Sequence, residues 1–161
     1  MKLILDAARL ISRLQALGDT GCDEAGRLCR LAATDADRAG RDLLCTWLRQ
    51  ASLRVEIDRI GNIYGIWQPE GAVGEVLMMG SHIDTVINAG IYDGCYGVLA
   101  GLSVIEALQQ AGLEPVRPIA VVAYTNEEGA RYTPDMMGSL VAAGGLSTEL
   151  ALATTGRDGT T

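Results

Sequence analysis

The hydrophobic positions along this chain change period several times, and each change marks a new element. Leu3, Leu5, Leu10, Ile11, Leu14 and Leu17 recur at roughly helical spacing before Gly18, predicting an amphipathic N-terminal helix. Thr34, followed three residues later by Asp37, resembles a capping box with aspartate in place of glutamate. It opens a second helix carrying Leu43, Leu44, Trp47 and Leu48. Period two then takes over in Leu53-Arg54-Val55-Glu56-Ile57-Asp58 and is followed by Asn62-Ile63-Tyr64-Gly65-Ile66-Trp67. Joined at Ile60-Gly61, the two segments read as adjacent strands.

Pro69 to Gly74 is turn chemistry. Val76-Leu77-Met78-Met79 is a short unbroken apolar run, as expected of a strand covered on both faces. From Gly94 to Ala111 the pattern is helical again, with Val98, Leu102, Ile105 and Leu108 as the stripe and Gly112 as the stop. Pro118 to Tyr124 reads as another buried strand, and Met136 to Ala143 as a short helix. Ser147-Thr148-Glu149 starts a last helix, which dissolves by Thr154 to Gly159. Strands alternating with helices predict an α/β fold with a partly parallel sheet flanked by helices. Ligands of such sheets gather beyond the carboxyl ends of the strands.

Composition narrows the class. At 161 residues, 48% apolar and 20% charged, the chain suits one globular domain with a real core. A net charge of -7 argues against nucleic-acid or anionic-membrane partners. Lys2 and Asp6 bring charge too early for a secretory apolar stretch, and no window approaches the roughly 18 apolar residues of a membrane span. Cys22, Cys29, Cys45 and Cys95 show no C-x-x-C spacing, so reduced thiols in a cytoplasmic protein are expected.

The candidate chemistry falls on three turns. His82, the only histidine, closes the first apolar run in Gly80-Ser81-His82-Ile83-Asp84-Thr85. Asp93 stands in Tyr92-Asp93-Gly94, with Gly90 and Gly94 leaving room for close approach. Asn126-Glu127-Glu128-Gly129 closes the second buried strand. Imidazole and carboxylates are the ligands that zinc and similar ions take, and an aspartate can give one oxygen to each of two ions. Asp84, two residues after His82, is placed to hold the imidazole by its second nitrogen. Of the glutamate pair, one can bind metal while the other takes a proton from the attacking water. Taken singly, such a histidine is commonly structural, Asp93 a helix cap and the glutamates solvated surface. Together on one rim of an α/β sheet they favour a metal site.

These segments resemble a known family. Gly80 to Val86, Tyr92 to Gly101 and Thr125 to Tyr132 are similar to the M20 metallopeptidase-like amidohydrolases. The nearest branch holds the N-carbamoyl-L-amino-acid hydrolases, allantoate amidohydrolases and β-ureidopropionases. Thr34 to Arg38 and Ile60 to Gly65 extend the likeness, with Ala89 a small departure from a usual glycine. The resemblance implies that residues 1–161 are the N-terminal portion of a di-metal catalytic domain, without the dimer-forming lid domain. It further implies that His82 binds one metal, Asp93 bridges, Glu128 binds the second, Glu127 is the general base and Asp84 orients His82. The implied cofactors are two divalent ions, zinc, manganese, cobalt or nickel. The implied substrate is a small carbamoyl or ureido compound, and the family is homodimeric. Relatives are more than twice as long and supply two further metal-binding histidines. This chain alone is therefore expected to be weakly active or inactive, with part of its sheet missing and a raw edge exposed. The alternatives are a non-catalytic module associating with a full-length relative, or an aminopeptidase or deacylase of the same superfamily.

Overall fold

The computed structural model describes residues 3–161; Met1 and Lys2, whose early charge entered the reading of the N-terminus, lie outside the described residues. The elements run α1 (Ala7–Asp19), α2 (Asp35–Gln50), β1 (Arg54–Ile57), β2 (Ile63–Trp67), β3 (Leu77–His82), α3 (Cys95–Gln110), β4 (Ile119–Tyr124), α4 (Met137–Ala142) and α5 (Thr148–Leu152). The strands form one sheet in the order β1-β2-β4-β3. β1–β2 and β2–β4 are antiparallel, whereas β3 and β4 run parallel, with His82 opposite Tyr124 at their carboxyl ends. The chain is thus α/β with a partly parallel sheet and flanking helices.

Local chemistry accounts for the boundaries. α1 begins later than the apolar spacing suggests, because the Asp6 side chain accepts from the Arg9 amide and caps the helix there. Leu3 and Leu5 consequently stay outside it and exposed, and α1 runs past Gly18 to Asp19. The Thr34 hydroxyl caps α2 by accepting from the Asp37 amide, and Asp37 answers by accepting from the Ala33 amide. This is a capping box shifted back by one residue. Gly112, at φ +64°, ends α3 as the sequence predicts, letting the Leu113 amide reach back to the Leu108 carbonyl.

One core joins α1, α2 and α3 to the sheet. Leu14 and Leu17 of α1, Leu44 and Leu48 of α2, Val98, Leu99, Leu102 and Ile105 of α3, and Val121 of β4 are all buried in it. The two unbroken apolar runs end differently. β4 lies between two strands, and Ala120 and Val122 on its second face are buried along with Ile119, Val121 and Ala123. β3 pairs only with β4 among the described residues. It is an edge strand with Leu77 57% and Met78 51% exposed. The expectation of a doubly covered β3 is therefore corrected, whereas the expected raw edge is present.

Candidate metal centre

His82, Asp93 and Glu128 come from three separate segments: the end of β3, the turn before α3 and the loop after β4. Each offers a ligand atom, and these atoms all lie within 4.8 Å of one another. Parallel pairing of β3 with β4 sets His82 and the 125–129 segment side by side. α3, packed across both strands, brings Asp93 to the same rim.

The imidazole is oriented from behind. His82 Nδ1 stands 2.9 Å from the Asp84 main-chain oxygen. A carbonyl only accepts, so this contact places the proton on Nδ1 and leaves Nε2 with its lone pair free for a metal. Asp84 does hold His82, but through its backbone. Its carboxylate is 3.9 Å from Nδ1 and serves another purpose. The two oxygens accept from the main-chain amides of Glu127 and Glu128, each at 3.1 Å. Buried Asp84 thus ties the histidine loop to the glutamate loop with charge-assisted bonds.

The two glutamates part company as the sequence anticipates. Glu128 turns into the cluster. Glu127 turns toward α4, where its carboxylate accepts from the Ser139 amide at 2.9 Å and the Ser139 hydroxyl at 2.8 Å. Ser139 itself was not legible in the sequence, since a serine after Gly138 at a short helix start carries no distinctive pattern. Glu149 and Asp158, the other acidic groups near the chain's end, are engaged instead by Arg59 at 3.0 Å and Arg131 at 2.8 Å.

The donor set fits a divalent cation. One imidazole and two carboxylates match the ligand types of zinc and manganese sites. Burial pushes the Glu128 carboxyl above its ordinary value; His82 opposes the rise, while Asp93 and Asp84 add to it. Such crowding of carboxylates is relieved by a bound cation. Gly94, at φ +63°, leaves the imidazole space that a side chain would fill, since a Cβ there would stand 2.5 Å from the ring. Among the described residues these three form one metal-capable group. No described helix is long and apolar enough to cross a membrane.

Comparison with known proteins agrees with this geometry. A family model described as Peptidase family M28 matches residues 62–149, which contain all the candidate site residues. An N-carbamoyl-L-amino acid amidohydrolase from Geobacillus stearothermophilus is 39% identical over 91% of this chain and 36% of its own length. Allantoate deiminase 1 from Glycine max is 35% identical over 83% of this chain and 28% of its own. A hydantoinase/carbamoylase family amidase from Burkholderia ambifaria superposes with a TM-score of 0.94 at 42% identity, covering 99% of this chain and 39% of that one. The chain thus spans about a third of the length of the curated relatives it matches. The relatives it resembles are named as carbamoyl-amino-acid amidohydrolases and allantoate deiminases, and the chain itself belongs to Peptidase family M28 as that model defines it.

Proposed function

We propose that the chain carries the metal-binding and proton-accepting part of a hydrolase of linear amide C–N bonds in N-carbamoyl-amino-acid or ureido substrates. It corresponds, on this reading, to the N-terminal portion of the catalytic domain of its longer relatives. The convergence of His82, Asp93 and Glu128 on one rim carries the proposal, and Glu127 is the chain neighbour of Glu128.

His82, through Nε2, and Glu128 would each hold one of two divalent ions (zinc, manganese, cobalt or nickel), and Asp93 would bridge them. Bound there, such ions polarise the scissile carbonyl and lower the pKa of water to about 7. Glu127 accepts the proton of the attacking water and delivers it to the leaving nitrogen. Ser139 keeps both of its oxygens in place for this, and Asp84 fixes the turn that points Glu127 and Glu128 in different directions. Water adds to the carbamoyl carbon and the C–N bonds break, so the substrate yields the free amine, ammonia and carbon dioxide.

Two four-coordinate ions sharing an aspartate need about five protein ligands. The cluster supplies three. Weak metal binding and slow turnover are therefore expected of this chain by itself. The test is ammonia release from N-carbamoyl amino acids and from allantoate by the purified chain with added Mn(II). Slow release that stops with a chelator and with Glu127→Gln supports the reading. Release that persists in Glu127→Gln, or without metal, contradicts it.

A further inference from the structure

Arg30 is fully buried, yet among the described residues no carboxylate accepts a hydrogen bond from its guanidinium. Burying a cation is costly unless its donors are met. Here they are met almost entirely by main chain. Nη1 donates to the carbonyls of Leu17 at 2.7 Å and Thr20 at 2.6 Å, at the negative end of α1, where the Leu17 carbonyl also accepts from the Thr20 amide. Nε donates to the Ile83 carbonyl at 2.8 Å, and Nη2 to the Cys95 sulfur at 3.3 Å. The Arg30 backbone grips the same loop, accepting from the Thr85 amide at 2.9 Å and donating to the Thr85 hydroxyl at 2.8 Å. α2 makes room for it with Gly40, where a Cβ would meet the Arg30 side chain at 2.6 Å.

The two outward contacts fall on either side of the candidate centre. Ile83 follows His82, and Cys95 is two residues after Asp93. One planar guanidinium therefore bridges the loop that carries the histidine and the turn that carries the bridging carboxylate, with the end of α1 as its anchor. We infer that Arg30 is a positioning residue that fixes His82 and Asp93 relative to each other for metal binding. This rests on the metal reading given above. A simple packing role would need neither charge nor a fork, because an apolar side chain of similar volume fills a core at less cost. Lysine at this position would keep the charge, but its single ammonium cannot span both loops.

Manganese is the probe of choice because thiolates compete poorly for it. Mn(II) affinity is measured by calorimetric titration of the parent, Arg30→Lys and Cys95→Ala. The NMR signal of the single imidazole is followed in the same metal-free chains. Arg30→Lys is expected to bind Mn(II) about 10- to 100-fold more weakly, the range typical of residues that support metal ligands from behind. Its His82 signal is expected to shift while the circular dichroism spectrum stays folded. Cys95→Ala, which leaves Arg30 in place and removes only the link to α3, is expected to weaken binding by a smaller factor. Unchanged affinity and an unchanged imidazole signal in folded Arg30→Lys would overturn the assignment. Should that variant not fold, unchanged values in Cys95→Ala overturn it equally. A parent chain that binds no Mn(II) instead overturns the metal reading on which this inference stands.

Discussion

At Gly94 the backbone takes φ +63° directly against the His82 ring. Alanine there meets two penalties, a positive-φ backbone outside the left-handed helical well costing roughly 1–3 kcal/mol and a Cβ 2.5 Å from the imidazole. Gly94→Ala is therefore expected to lower stability by at least about that amount and to displace His82. Urea unfolding and the lone imidazole signal check both effects. Asp37 offers a prediction of another kind. Burial pushes its carboxyl upward, with Arg41 opposing. The folded chain thus binds this proton more tightly than the unfolded chain does. The group favours the fold below the ordinary carboxylate range, and that contribution is lost as pH rises through the raised value. Asp37→Asn keeps an oxygen for the Ala33 amide while removing the charge. Relative to the parent, the variant should gain stability on going from about pH 3.5 to neutrality, as read from urea midpoints at the two pH values. That His82, Asp93 and Glu128 form a candidate cluster was legible in the sequence, because His82 and Glu128 close apolar runs and Asp93 stands in a glycine-flanked turn. The partners of those residues were not. Nothing in a sequence says that Asp84 holds the imidazole by its main chain and two distant amides by its carboxylate, since that depends on the path of the loop.

Element by element, periodic segments were read well and unbroken apolar runs only in part. The hairpin of β1 and β2, the capped start of α2 and the glycine stop of α3 each follow from chemistry within a few residues. Val76 to Met79 and Pro118 to Tyr124 look alike as sequences, yet β4 is central and β3 lies at the edge. Periodicity reports which residues are apolar, whereas position in the sheet depends on strands distant in the chain. The consequence is physical. β3 presents unpaired backbone groups beside exposed Leu77 and Met78, a surface prone to edge-to-edge pairing. Sedimentation velocity should show the parent associating as its concentration rises. Met78→Lys should raise the concentration needed on the order of tenfold, as expected from losing one buried side chain per contact. A parent that stays monomeric throughout would contradict this reading of the edge.

For the whole molecule, the topology makes the site. A parallel β3–β4 pair with α3 laid across it brings together residues 82, 93 and 128, which no local pattern could show to be neighbours. The α/β alternation predicted the rim, and the resemblance named its chemistry; the fold brings the three ligand atoms within 4.8 Å of one another. The central claim is that these three side chains bind a divalent cation. Calorimetric titration of the metal-free chain with Mn(II), beside His82→Ala, tests it most directly. The account predicts measurable binding by the parent and an affinity at least about tenfold lower once the only imidazole is removed. Equal binding by the two chains, or none by the parent, would contradict it.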